Sequence, residues 1–188
     1  MVKGSLFLLL FLISNVAWSG ANYQGLQVDV RRDGHQYIFS ASFDTPLTKC
    51  AAYHFLTDYP AATNLPGVVE SIAHRQSANT VVVNRTADEK ILFFNVRLHS
   101  VIKYIEEPFD RVVFTQLSGD SRKFQGAWDI KDNHHGSTLK FEGLWEPDTV
   151  IPLFIIDHFA RNGLASKFDA LARLAEKRKD NPPTICVD

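Results

Sequence analysis

Glycine, proline, cysteine and excess positive charge are all scarce in this sequence of 188 residues. It holds ten Gly and eight Pro, too few for a collagen-like, low-complexity or disordered chain. Its 20 Lys and Arg side chains are outnumbered by 21 Asp and Glu, which gives a net charge of −1. A groove that neutralises many phosphates requires a clear cationic excess, so no nucleic-acid partner is predicted.

Motifs that carry catalysis or metal binding are also missing from the sequence. It contains no G-x-S-x-G elbow, phosphate-binding glycine loop or C-x-x-C pair, so nucleophilic catalysis has no support and no cofactor is predicted. Seven His residues are present, but none of them shows H-x-x-x-H or H-E-x-x-H spacing. No metal site is therefore predicted.

Aromatic side chains, in contrast, are abundant. Fourteen Phe, five Tyr and three Trp make up 12% of the chain, and 45% of all residues are hydrophobic. A chain of this length can bury one substantial core but is short for two domains. The composition predicts a single compact, aromatic-rich domain.

The first 19 residues have the pattern of a secretory signal peptide. Lys3 is followed by an apolar run over residues 6–13, and Ala17 and Ser19 place small residues at a cleavage site. A membrane anchor would need roughly 20 apolar residues, and Ser14 ends the run too early. The sequence predicts a signal peptide over 1–19, one domain over 20–180, a tail over 181–188, and export to the periplasm of a bacterium.

The two cysteines, Cys50 and Cys186, lie 136 positions apart. Export to an oxidising compartment favours a disulfide between them. The alternative is a buried free Cys50 and a frayed C-terminal tail, and the sequence leaves both alternatives open.

Hydrophobic periodicity predicts an α+β fold. The pattern indicates an N-terminal hairpin, then a short helix over 46–57 with Thr45 as N-cap and Pro46 in its first turn. A meander of antiparallel strands follows, with a period of two and short turns. After Pro152 the apolar spacing becomes helical, which predicts a long C-terminal helix to cover the sheet. The predicted strands are 68–76, 80–86, 91–106, 111–117, 124–130 and 137–145.

Several short motifs in this order resemble a known superfamily. They are Asp58-Tyr59, Leu65-Pro66-Gly67-Val68, the turn from Glu107-Pro108 to Arg111-Val112, and Gly119 leading into Phe124, Gly126 and Trp128. In order and spacing they resemble the START-like polyketide cyclase/dehydrase (SRPBCC) superfamily, and within it the coenzyme Q-binding START-domain branch. The resemblance spans roughly residues 36–178. It implies a helix-grip fold, in which a curved antiparallel sheet wraps around a long C-terminal helix and leaves a cavity between them.

The resemblance implies a binder or carrier of a hydrophobic small molecule such as a lipid, a quinone or a polyketide-like compound. The predicted signal peptide, which the familiar quinone-binding members lack, would make this carrier an exported one. The alternative is a polyketide cyclase/dehydratase-like enzyme that uses the same cavity, and the lack of a clear acid/base pair favours the binder. A third reading is an interaction protein whose cavity is filled by its own aromatic side chains. Transient membrane contact and no stable protein partner are expected.

The alternation of inward and outward side chains along strands, and the spacing of apolar residues along the helix, identify the side chains expected to touch the ligand. Arg161 is placed near the opening, where a polar group could orient the head of the ligand. The predicted contact residues are Phe94, Leu98, Trp128, Phe141, Ile156 and Phe168.

Overall fold

The computed structural model describes residues 23–91 and 94–186, and the predicted signal peptide lies outside the described residues. Its elements follow the predicted order of hairpin, short helix, meander and long helix. They are β1 (Gln27–Asp33), β2 (Gln36–Thr45), α1 (Lys49–Thr57), a first 3-10 helix (Tyr59–Asn64), β3 (Val68–Ser77), β4 (Thr80–Ile91), β5 (Phe94–Glu107), β6 (Arg111–Gly119), β7 (Ser121–Asn133), β8 (Gly136–Pro147), α2 (Leu153–Arg178) and a second 3-10 helix (Thr184–Cys186).

Within the described residues, the eight strands form one curved antiparallel sheet in the order β1-β2-β8-β7-β6-β5-β4-β3. Consecutive strands pair as hairpins except at one place, where β2 pairs with β8. The meander from β3 to β8 is therefore joined to the N-terminal hairpin by a pairing between the two ends of the domain. The α+β fold class predicted from the sequence is confirmed.

Side chains at alternate positions of each strand line the concave face of the sheet, as the period of two requires. The 26-residue helix α2 packs on this face, and its buried positions recur mostly at intervals of four. Helix α1 also packs against β6, β7 and β8, and the first 3-10 helix packs against β3, so three elements bury the sheet. The buried residues of α2 are Ile156, Ala160, Phe168, Ala172 and Ala175, and those of the central strands include Phe39, Phe43, Ile102, Tyr104, Val112, Phe114, Leu139 and Phe141.

Helix α1 begins three residues later than the sequence pattern predicts. Its N-cap is Thr48, whose side chain accepts a hydrogen bond from the backbone N–H of Ala51. Thr45, the predicted N-cap, is instead the last residue of β2, where it pairs with Ser137 of β8. The prediction of an N-cap at Thr45 was wrong because β2 remains paired with β8 through that residue, so the helix begins only at Lys49.

A polar cluster is buried at the end of β5 around Glu106, whose side chain is 2% exposed. Arg75 of β3 donates to both carboxylate oxygens at 2.8 and 3.1 Å. The hydroxyls of Tyr53 in α1 and Tyr59 in the first 3-10 helix donate to the same carboxylate at 3.3 and 2.9 Å. Burial, and then the charge of Glu106, raise the pKa of both tyrosines, so they stay neutral donors. The cluster joins four elements at one end of the sheet.

The C-terminal tail is bound to α1 by a disulfide between Cys50 and Cys186, whose Cα atoms are 5.7 Å apart. Of the two alternatives left open by the sequence, the structure contains the bonded pair. None of the helices in the described ranges is long and apolar enough to cross a membrane.

Candidate ligand-binding site

A cavity lies between the concave face of the sheet and α2, and it has two lobes. The β5 lobe has a volume of about 280 Å³ and is bounded by β4, β5 and the start of β7. The α1 lobe has a volume of about 260 Å³ and extends toward α1 and the first 3-10 helix. Each lobe alone is slightly below the roughly 300–1,000 Å³ typical of small-molecule sites. The two lobes share the lining residues Phe39, Leu65, Arg85, Phe124, Leu164 and Lys167.

The wall of the α1 lobe is aromatic. Trp128 and Phe141 lie on neighbouring strands with ring centroids 4.9 Å apart, and the Phe168 ring of α2 lies 5.9 and 5.2 Å from them. These rings connect the sheet to the helix across the floor of the lobe. Such a surface offers shape and apolar contact to a ligand.

The β5 lobe is lined by smaller side chains. Ala87 of β4 faces Leu98 of β5 across the strand pair, and Ser100 is the next inward position of β5. These short side chains leave room under α2. The rest of the lobe is closed by Phe124, Trp145, Phe159 and Leu164.

Arg85 of β4 lies where the two lobes meet and is half-buried. Its Nη1 donates to the Tyr104 hydroxyl at 3.4 Å, a long bond. Its Nε is shielded from solvent and has no hydrogen-bond partner among the described residues. Arg85 is therefore a cationic group in a largely apolar cavity, and one of its donors is unpaired.

At the protein surface, the β5 lobe is bordered by the ion pair of Lys167 with Glu89 and by a tight turn at Gly67. Lys167 of α2 binds the Glu89 carboxylate of β4 and the backbone carbonyl of Pro66. Gly67 follows Pro66 with φ of +84°, and a Cβ there would lie 2.8 Å from the Asp88 carbonyl. Glycine allows this turn to pack against β4. Lys167, Glu89 and Pro66 also line an outer groove, so they lie between the β5 lobe and that groove.

The structure brings four of the predicted contact residues to this cavity. Leu98 lines the β5 lobe, and Trp128, Phe141 and Phe168 line the α1 lobe. The backbone of Phe94 begins β5, but its side chain lies outside the described residues.

Ile156 and Arg161 line neither lobe. Ile156 is 1% exposed and belongs to the packed core, whereas Arg161 is exposed. The first turns of α2 pack against the N-terminal hairpin, where Asp157 accepts from the Tyr37 hydroxyl at 2.8 Å and pairs with Arg32 at 3.1 Å. This end of the helix is therefore held by contacts within the protein, and the cavity lies further along it.

The predicted set omits several residues that line the cavity, among them Phe39, Phe124 and Arg85. Of these, Arg85 is the charged one, and the alternation of inward and outward residues along β4 indicates it. Val81 and Val83 are buried on β4, so Arg85 two positions later points to the same face. A charged residue at an inward position of a strand is the signal that identifies it.

Comparisons with known proteins agree with this architecture. No protein-family model and no curated protein matches the chain. Among solved structures, it is similar to a STAR-related lipid transfer protein from Xanthomonas axonopodis, at 13% identity and a TM-score of 0.69, over 82% of this chain and 95% of that one. It is also similar to the ZhuI aromatase/cyclase from Streptomyces sp. R1128, at 12% identity and a TM-score of 0.61, over 77% and 96%.

A third similar structure is the di-domain aromatase/cyclase StfQ of the steffimycin biosynthetic pathway, at 14% identity and a TM-score of 0.62. The match covers 76% of this chain but only half of StfQ. At such identities the likeness concerns the fold, which is compatible with several functions. An eight-stranded antiparallel sheet gripping a C-terminal helix, in the same arrangement as these proteins, gives this chain the START-like helix-grip fold.

Proposed function

We propose that the protein binds and carries a hydrophobic small molecule in the cavity between the sheet and α2. The observation that carries this proposal is the two-lobed apolar cavity itself. The ligand classes that suit its walls are lipids, quinones, including coenzyme Q, and polyketide-like compounds. Such a carrier would take up and release its ligand through transient contact with a membrane.

The cavity favours binding because protein interiors are otherwise close-packed. An unfilled apolar void loses the dispersion contacts that packed side chains would make. In this chain, many core side chains are large and aromatic, yet β4 and β5 place the small residues Ala87 and Ser100 beside the space under α2. A ligand that fills this space restores the missing contacts.

Filling the β5 lobe with a side chain should abolish binding without unfolding the protein. We expect Ala87→Trp to weaken binding of Nile red, a neutral apolar dye, at least tenfold while the melting temperature changes little. In a filled core the same change would cost about 1–3 kcal/mol by overpacking. Fluorescence titration and thermal melting of the same samples measure both quantities.

Asn84→Trp is the matched control, because Asn84 is exposed on the opposite face of the same strand. It should bind Nile red as the unchanged protein does. If Ala87→Trp is strongly destabilised and the unchanged protein binds no dye, the space is packed core and the proposal fails. If the unchanged protein does bind the dye, mass spectrometry of an organic extract of the purified protein identifies any natural ligand.

Export is part of the proposal. It is supported by the charged, apolar and small-residue segments over residues 1–19 and by the Cys50–Cys186 disulfide, a bond typical of oxidising compartments. The intact mass of the exported protein should correspond to a chain that begins near Gly20. Recovery of the full chain from a membrane fraction would indicate an anchor.

A second candidate is a cyclase-like enzyme that uses the same cavity, and the fold likeness to ZhuI and StfQ favours it. Such an enzyme needs acid or base groups beside the reacting carbons. His99 and Asp120 line the β5 lobe, but both are exposed. A cyclised product formed from an aromatic polyketide precursor only when the protein is present would favour the enzyme over the carrier.

A further inference from the structure

Arg85 differs from two other inward-facing arginines of the sheet, Arg32 and Arg75, which both pair with carboxylates. Arg75, on β3, lies beside Glu106 and donates to both of its carboxylate oxygens. Arg85, on β4, forms no ion pair with any carboxylate in the described part of the chain. A cation removed from water is normally paired, because its lost hydration must be replaced.

The unpaired edge of the Arg85 guanidinium has the geometry that binds a carboxylate. Its Nη1 is used by Tyr104, and neither Nε nor Nη2 has a hydrogen bond within the described ranges. Nε and Nη2 form one side of the planar group, with two parallel donors. Arg97 uses this same edge on the outer face, where its Nε and Nη2 donate to the two oxygens of Asp88 at 2.7 and 2.8 Å.

The position of Arg85 fixes where such a carboxylate would lie. Arg85 lines both lobes, so a head group bound there would sit at their junction, with the aromatic α1 lobe on one side and the β5 lobe on the other. The other cation that lines both lobes, Lys167, is already engaged by Glu89. The positive charge of the guanidinium matches the negative charge of one carboxylate, and the two N–H donors of its free edge match the two carboxylate oxygens.

We infer that the ligand is an apolar molecule with a carboxylate head group, held by the Nε–Nη2 edge of Arg85. This inference rests on the proposed function and narrows its ligand class from apolar compounds in general to apolar acids. The carboxylate pairs with the cation, and the apolar body fills the lobes.

The test compares two fluorescent probes that differ only in the head group: cis-parinaric acid, a polyene fatty acid, and the alcohol made from it. The unchanged protein should bind the acid roughly 10- to 100-fold more tightly than the alcohol, as expected for hydrogen bonds to a charged group. Arg85→Leu should bind both probes with the affinity that the unchanged protein has for the alcohol. Arg85→Lys should recover part of the preference, because it restores the charge without the planar edge.

Arg97→Leu is the matched control, since it removes a guanidinium from the outer face of the sheet, where the side chain is 61% exposed. It should keep the full preference for the acid. Without ligand, Arg85→Leu should melt no lower than the unchanged protein, because it removes a charge that lacks a partner. If Arg85→Leu fails to fold, Arg85→Gln replaces it in the same comparison.

The outcomes separate the two proposals. Equal binding of acid and alcohol by the unchanged protein, or a preference that survives in Arg85→Leu, overturns the carboxylate inference while the carrier function stands. Failure of the unchanged protein to bind either probe or Nile red overturns the carrier function and the inference together.

Discussion

Replacing Glu106 with Ala is expected to lower the free energy of unfolding by about 3–5 kcal/mol, chiefly because two buried hydroxyls lose their acceptor. The carboxylate accepts from Arg75, Tyr53 and Tyr59 at one buried point. Its removal leaves two buried hydroxyls without an acceptor, and each such group costs about 1–3 kcal/mol when it stays unsatisfied. Arg75 is half exposed, so its charge can return to water and adds less.

Glu107→Ala is the matched control for this experiment. Glu107 is the next residue of β5 and is exposed, so its replacement should change stability by less than about 0.5 kcal/mol. Urea unfolding monitored by tryptophan fluorescence gives both values. Similar losses of unfolding free energy in the two variants would show that the Glu106 cluster stabilises the fold no more than an exposed surface charge does.

Removing the disulfide should have an effect of similar size. For the Cys50→Ser/Cys186→Ser double variant we expect a loss of about 4–5 kcal/mol, because the bond closes a very long loop and restricts the unfolded chain. The two cysteines are 136 positions apart. The replacement also frees the tail beyond α2 from its bond to α1.

Chemical reduction provides the control for the disulfide. Dithiothreitol should lower the urea midpoint of the unchanged protein to that of the double variant, and it should leave the midpoint of the double variant unchanged. A loss below about 1 kcal/mol in the double variant would mean that the unfolded chain is already restricted without the bond.

The strands could be predicted from the sequence because inward and outward residues alternate clearly along them. Boundaries were harder where that contrast is weak. The prediction ends β4 at Thr86, whereas the strand continues to Ile91, because the inward positions Ala87 and Glu89 do not have the large apolar side chains that mark a buried strand. Pairing with β5 keeps β4 extended as far as Ile91 although these inward side chains are small or charged.

The site could be predicted only in part. The period of two along β7 and β8 places Trp128 and Phe141 on the inner face. It does not distinguish a ring that borders a void from one that is packed on all sides. Helical spacing likewise puts both Ile156 and Phe168 on the buried face of α2, yet only Phe168 borders the cavity. That difference depends on how the helix crosses the sheet, which is a property of the assembled fold.

The pairing of β2 with β8 ties the formation of the fold to the synthesis of the last strand, β8. Gln36 and Glu146, which are hydrogen-bonded across this pair, are 110 positions apart, and α2 follows later still. Contacts between such distant residues form slowly, because the entropy of closing the intervening loop is lost before the contacts stabilise it. During synthesis the N-terminal hairpin therefore keeps its aromatic face in water until the last strand and helix have emerged. The nascent chain, rather than the finished protein, is the form most exposed to aggregation.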